Sequence, residues 1–529
     1  MKKYPQKYLP LIIGTAVAAG IFLGTFFQRD NINASYSSNS KKEKLNRLID
    51  YIDYEYVDKV NTDSIVDVTV NSILKDLDPH STYIPQSEYA DVSRNMKGDF
   101  VGIGIQFYRL NDTIAVIKAL ENSPSEKAGI KAGDRILYAD NIALFSQEIT
   151  DDSLKNILQG RENTYVDLKV LRNNSKNLLD ISVKRSHIPI KSVVASYMLN
   201  ENLGYIKINR FAETTYEEFQ KSAKALKSKN AKNIVLDLRD NGGGYLDQAT
   251  QIADDFLKED QLILFTKNKD NQIKKTFSTD DGMFENSKVY VLINENTASA
   301  SEVIAGALQD NDVGTIIGRR SYGKGLVQRE MDLGDGSAVR LTVARYYTPT
   351  GRSIQRPYEN GDKSYFNEYE KRYKNGELQH KDSISVNDSL SYQTPKGKIV
   401  YGGGGIIPDI FVPKDLNYEK ESLIYMLRIG VIDRFIFEEL ERDRSYYNAM
   451  TLEDFDENFD VTDNIVVDFI DYLKDAEVDF SFRNYKPLLK KYLKASIAEQ
   501  LFGTNVKEKI INDDDKMIQK VLSLEEKNN

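Results

Sequence analysis

Between Lys44 and about Lys97 apolar residues fall three and four apart, Leu45, Leu48, Ile49, Ile52 and Tyr56, then Ile65, Val68, Ile73 and Leu74. That period predicts two helices. DPHSTYIP, Asp78 to Pro85, breaks the pattern with two prolines. From Gly98 to about Arg185 the texture becomes short and alternating. Ile103 to Phe107 and Ile114 to Ile117 read as strands, followed by a helical turn near Ser125 to Ala128, which makes a small domain. From Leu203 onward strands alternate with helices: Gly204 to Ile208, a helix from about Tyr216 to Lys229, Asn233 to Leu238, and a helix near Gln248 to Leu257. Val289 to Ile293 is continuously apolar, as a strand covered on both faces should be, and a helical SEVIAGALQ follows it. This is α/β layering. A polar insertion from about Pro357 to Lys398 interrupts the last strands. The tail from Asn417 to Asn529 is helix-patterned and charged, and with no chemical motif it receives no specific role.

At the N-terminus Lys2, Lys3 and Lys7 precede an apolar run from Leu9 to Phe27, long enough to cross a bilayer as a helix with its positive flank in the cytoplasm. A cleaved signal peptide is the rival reading, but Ile32-Asn33-Ala34 makes a poor exit site. Either way the remaining residues are expected on the far side of the membrane, above a polar stalk at residues 30–42.

Composition narrows the chemistry. The chain has 529 residues and a formal net charge of -9, so no basic field draws it to nucleic acid. It has no cysteine, which removes disulfides, thiol nucleophiles and thiolate metal sites. Its three histidines, His80, His187 and His380, never pair at the short spacing of a metal site, and no cofactor or metal is called for. Base catalysis, if present, is expected without imidazole.

Several segments could carry it. FVGIGI at Phe100 to Ile105 leaves the amides around Gly102, Ile103, Gly104 and Ile105 unshielded, fit either to receive a carboxylate or simply to make a tight turn. Gly242, Gly243 and Gly244 follow a buried-strand pattern, where bare amides can form an oxyanion hole or a flexible loop. In TASASEV, Thr297 to Val303, Ser299 and Glu302 fit a capping box, and the same address sets Ser299 beside the amide of Ala300 at the positive end of a helix. Lys324 follows Gly318-x-x-x-x-Gly323, most of a phosphate loop, but Gly325 stands where magnesium needs a hydroxyl. A lysine folded tightly among glycines can instead lose hydration and serve as a neutral base. Gln328 could orient its amine if the segment is helical.

Taken together the motifs resemble a family. FVGIGI with SPSEKAGIKAGDRIL, Ser123 to Leu137, resembles a PDZ domain. LDLRDNGGG, TASASEV, YGKGLVQ, YYTPTGRSIQ and GGIIPDI occur in the order seen in carboxyl-terminal processing (tail-specific) proteases, and DPHSTYIP fits too. The resemblance, over about residues 44–413, implies a crotonase/ClpP-like α/β protease core with an inserted PDZ domain. It implies Ser299 as nucleophile, Lys324 as general base 25 residues on, Gln328 as accessory, and the amides of Ala300 and of Gly242 or Gly243 as oxyanion donors. Choosing Ser301 would shorten that spacing to 23.

The expected division is anchor or signal 1–30, linker 31–43, helical segment 44–97, PDZ domain 98–186, protease core 187–413 and helical extension 414–529. The expected setting is a bacterial inner membrane with the catalytic part periplasmic, and the expected partners are proteins with free apolar C-termini bound at Gly102 to Ile105. Two rival readings are a non-catalytic membrane-tethered PDZ scaffold, which would have a decayed dyad, and a crotonase-like acyl transferase, which leaves the PDZ insertion unexplained.

Overall fold

A computed structural model describes residues 14, 15, 17, 40–110, 113–145, 149–172, 177–359, 361–475 and 485–528. The apolar run Leu9 to Phe27 and the stalk lie outside the described residues, apart from residues 14, 15, 17 and 40–42. Among the described residues no helix is long and apolar enough to cross a membrane. The chain divides into two compact units, residues 1–76 and 77–529. The first contains helices Ser40–Glu55 and Thr62–Lys75. Asn61 starts the second of these, its Oδ1 accepting from the Ser64 amide at 3.1 Å.

In the second unit the helical period predicted up to Lys97 gives way at the prolines. Thr82–Ile84 is a strand paired antiparallel with Ala338–Tyr347, and Gln86–Lys97 is a separate helix. Two helices were expected and three form. The intervening turn is closed by Asp78, whose Oδ1 accepts from the amides of His80 and Ser81 at 2.9 Å.

The small domain is an antiparallel sheet in the order Ile105–Leu110, Thr113–Ala119, Arg135–Ala139, Tyr165–Leu171 and Leu179–Lys184, around a core that includes Ile114, Val116, Ile136 and Val166. Asp99–Gly102 pairs instead with Ser186–Pro189, a two-stranded ribbon where the chain enters and leaves the domain. Among the described residues Ile105–Leu110 therefore has a neighbour on one side only. On another face Leu110, Ala115 and Ile117 are buried against Phe437 of the helix Val431–Arg442.

The central sheet runs Val193–Met198, Leu203–Ile208, Asn233–Asp237, Val289–Ile293, Gly314–Gly318, Ile410–Phe411, parallel except for its first pair. All five residues of Val289–Ile293 are buried, because both faces are covered. Ile234, Leu236, Val291 and Ile293 meet the helices Thr215–Ser228, Leu246–Asp254 and Ala300–Asp310. Tyr205, Val235, Leu292 and Ile317, pointing the other way, meet Met517, Ile518 and Val521 of the last helix, Lys516–Asn528. Tyr290 Oη donates to Glu525 Oε1 at 2.6 Å in the same layer. The end of the tail, to which the sequence assigned no role, thus covers the sheet. Each such side chain, fully buried, contributes about 1.5–3 kcal/mol. The helices from Tyr418 to Asn512 pack around Leu423, Phe435, Phe469 and Leu493.

Candidate active site

Chemistry-bearing residues gather at the carboxyl ends of two adjacent parallel strands, Asn233–Asp237 and Val289–Ile293, the usual place for ligands on an open α/β sheet. The loop after the first strand is organised by Asn241, which is fully buried. Its Nδ2 donates to the Ile208 carbonyl at 2.8 Å, and its Oδ1 accepts from the Gly243 amide at 2.9 Å. Its carbonyl accepts from the Ala298 amide at 2.9 Å and from Ser301 Oγ at 3.1 Å. Asn241 so ties the glycine loop to the serine turn. The asparagine before the glycine run was the available signal, since an Asn side chain readily bonds an amide two residues on.

The two glycines are not equivalent. The Gly243 amide is taken by Asn241, whereas the Gly242 amide makes no hydrogen bond among the described residues. Gly243 has φ near 100°, and a Cβ there would stand 2.7 Å from Ser299 Cβ and 3.0 Å from the Ala300 nitrogen. Only glycine lets the loop lie this close to the serine.

Ser299 sits between the strand Val289–Ile293 and the helix Ala300–Asp310 with φ 56° and ψ -116°. An L-residue held there carries strain of order 1–3 kcal/mol, which persists only where the surroundings over-determine it. Glu302 supplies that determination. The capping-box arrangement is present, with Glu302 Oε2 accepting from the Ser299 amide at 2.9 Å. The Glu302 amide donates to the Ser299 carbonyl at 2.8 Å, and Ser299 Oγ makes no cap hydrogen bond within ordinary length and angle. Ser299 is half-buried, and the amide of Ala300, next in the chain, makes no hydrogen bond among the described residues. Ser301, by contrast, is fully buried with its hydroxyl committed to Asn241.

Glu302 does more than the sequence indicated. It is fully buried, and burial, opposed by its hydrogen bonds, raises its pKa. Besides Ser299 it accepts from Ser321 Oγ at 2.5 Å, from the Gly323 amide at 2.7 Å and from the Lys324 amide at 2.9 Å. One carboxylate holds the backbone of Ser299 and of Lys324 together. Contacts 19 to 22 residues away leave no periodic trace in a sequence.

Burial, reinforced by Arg340, lowers the pKa of the Lys324 amine to about 8, against the opposing pull of Glu302 and Asp78. Its Nζ donates to Gln328 Oε1 at 2.8 Å, while Gln328 Nε2 donates to the His80 carbonyl. The segment is not helical, so the condition set for Gln328 to reach the amine is not the one met. Lys324 precedes the strand Leu326–Asp332, whose register shifts between Val327 and Gln328, and this irregularity together with the turn at Gly323 brings the amide back to the amine. Lys324 Nζ and Ser299 Oγ are not hydrogen-bonded to each other.

His80 lies behind this pair. Its Nε2 is 2.7 Å from Tyr365 Oη, and burial, reinforced by Lys324, lowers its pKa to about 4, so the ring is neutral. Tyr365 belongs to the insertion, a contact the sequence did not suggest. The other two motifs brace the site. Gln355 Oε1 accepts from the Gly325 amide at 2.8 Å, Arg352 is fully buried on Asp310 at 2.6 Å, and Asp409 Oδ2 accepts from the Ile316 amide at 2.8 Å.

In the small domain, Gly102 and Ile105 belong to flanking strands, and the amides of Ile103 and Gly104 between them make no hydrogen bond among the described residues. Gly104 has φ near 77° and is packed so closely that a Cβ would fall 2.5 Å from Ser123 Cβ.

Three family models match parts of the chain: peptidase family S41 over residues 202–360, a PDZ domain over 101–183, and a family of unknown function (DUF8443) over 423–503. The chain is 34% identical over 345 residues to the carboxy-terminal-processing protease of Bartonella bacilliformis, covering 64% of this chain and 79% of that one. It is 30% identical over 388 residues to the carboxy-terminal processing protease CtpA of Bacillus subtilis, covering 69% and 82%. Among solved structures it matches a photosystem II D1 C-terminal processing protease at 25% identity, over 69% of this chain and 85% of that one, with a TM-score of 0.36. With an S41 peptidase core and a PDZ domain, the chain belongs to the carboxy-terminal processing proteases, a family of serine peptidases.

Proposed function

We propose that this protease captures the free, apolar C-terminal end of an unfolded protein on its PDZ domain and cleaves the chain with a Ser299–Lys324 dyad. The observation that carries the reading is the Glu302 carboxylate, which holds the amides of both residues at 2.9 Å and so fixes a strained, half-exposed serine relative to a lysine of lowered pKa. In this reading neutral Lys324 accepts the Ser299 proton as Oγ attacks the scissile carbonyl. The Ala300 amide and the Gly242 amide, both without partners among the described residues, receive the oxyanion, and Gly243 shapes the loop instead of donating. Lys324 returns the proton to the leaving amine, then activates the water that releases the acyl group. Gln328 holds the amine between steps. Since amine and hydroxyl are not bonded in the unliganded arrangement, a rotation of Lys324 accompanies substrate binding, as is common at unliganded sites.

Tail capture draws on the free amides of Ile103 and Gly104 and on the edge strand Ile105–Leu110, to which an extended peptide can add. Membrane tethering through Leu9 to Phe27, with the catalytic part periplasmic, is part of the same proposal and draws on the lysine-flanked apolar run. The test is cleavage of one disordered substrate with a free or an amidated apolar C-terminus. The free form is expected to be cleaved with kcat/KM at least about tenfold higher, the scale of one charge-assisted hydrogen bond. Equal cleavage of both contradicts tail capture while leaving the dyad standing.

A further inference from the structure

The insertion between residues 357 and 398 encloses, against the loop that leads to Lys324, a cavity of about 330 Å³. Charge on its wall is unbalanced. Arg320 and Arg372 line it in ion pairs with Glu368 and Glu377, at 2.6 to 3.7 Å. Arg356 and Lys371 line it too, and among the described residues neither has a carboxylate within ion-pair distance. Lys371 Nζ donates to the Ser364 carbonyl and hydroxyl, at 3.0 and 2.8 Å. Arg356 is 5% exposed, and its Nε is buried with no hydrogen-bond partner.

The rings of Tyr322 and Tyr365 flank the Arg356 guanidinium, each with its centroid 3.9 Å away. The two rings stand 76° to each other with centroids 6.2 Å apart, so they stabilise the cation from two adjoining sides. They leave Nε without an acceptor, on a guanidinium whose fork geometry matches the oxygens of a carboxylate or phosphate. A cation this deeply buried ordinarily keeps a counter-charge, because an unpaired buried charge is costly. Glu368 feels the Arg356 charge from across the cavity, but it and Glu377 are already paired with Arg320 and Arg372, so four cations on this wall face two carboxylates and the cavity is where a further negative charge would stand.

We propose that this cavity is a binding site for a small oxyanion, a phosphate or a carboxylate, held by Arg356 and Lys371. An occupant also braces the catalytic loop. The Arg356 amide donates to the Gly323 carbonyl at 3.1 Å, and Arg372 Nη1 donates to the carbonyls of Arg320 and Ser321 at 3.0 and 2.9 Å. The binding itself does not depend on the cleavage chemistry.

Calorimetric titration of inorganic phosphate, and separately of succinate, into the full chain at fixed ionic strength with chloride as the balance tests it. One saturable site per chain is expected for at least one of the two, and which one binds identifies phosphate or carboxylate as the ligand group. Lys371→Glu, at an exposed rim position, is expected to weaken that binding about tenfold or more. Arg356→Gln is expected to remove it, and if that variant fails to fold the Lys371 result still decides. No saturable binding of either anion, or binding unchanged in Lys371→Glu, overturns the proposal.

Discussion

Lys324→Met is expected to lower kcat/KM by about a thousandfold or more, the range that a positioned general base supplies, and at the same time to make the protein more stable at pH 7. The two effects share a cause. Burial of the ammonium is what brings its pKa from 10.5 to about 8 and yields a usable fraction of neutral amine near neutral pH. The same burial costs stability, because the unfolded chain keeps its proton up to about pH 10.5 while the folded one releases it near pH 8. Between those values the unfolded state binds more protons, so stability from this group rises with pH; below about pH 8 the penalty is complete. A shift of this size corresponds to roughly 3 kcal/mol. Methionine fills similar volume without charge, so the variant should melt higher than the parent at pH 7, and the gap should close as the pH approaches 10.5. Lys324→Arg, which keeps its charge at every accessible pH, should recover no activity. Melting curves across this range, paired with cleavage assays, check both halves.

Glu302→Gln is expected to lose about a hundredfold in kcat/KM and on the order of 2 kcal/mol in stability, although it changes one atom. Both carboxylate oxygens accept from N–H donors: Oε1 from Gly323, with the Ser321 hydroxyl, and Oε2 from Ser299 and Lys324. Whichever way the amide is turned, its NH2 faces an N–H, and at least one bond to the buried group is lost. That loosens the serine turn or the lysine loop, and a misplacement near 1 Å at such a site costs about a hundredfold in rate. The loss should fall mainly on kcat, with KM little changed, because Glu302 is buried away from substrate. Steady-state kinetics and denaturant melts on the same preparation decide it.

Much of the architecture was legible because it has local causes. The unbroken apolar run Val289–Ile293 reads as a doubly covered strand and is one, with all five residues buried. The glycines around Ser299 and Lys324 mark places where backbone must pass close or turn with positive φ, and Gly243 and Gly323 do so. What was not legible depends on partners distant in sequence. The helix Lys516–Asn528 shows a helical period but not which sheet it covers. Gln328 reaches Lys324 through a strand irregularity that imitates the spacing of a helix. The insertion reads as polar loop, yet Tyr365 packs on His80, and Arg372 holds the carbonyls of the lysine loop. Glu302 was visible as a helix cap, and its grip on residues 321 to 324 was not.

The dyad itself is tested most directly by fluorophosphonate labelling of the intact protein, with peptide mapping of the adduct and the rate of labelling measured against pH. A Ser299–Lys324 dyad predicts a single adduct on Ser299, formed at a rate that rises with pH through a midpoint near 8 as Lys324 loses its proton, and slowed about a thousandfold with no such midpoint in Lys324→Ala. An adduct on Ser301 or elsewhere, or the same midpoint surviving in Lys324→Ala, contradicts it.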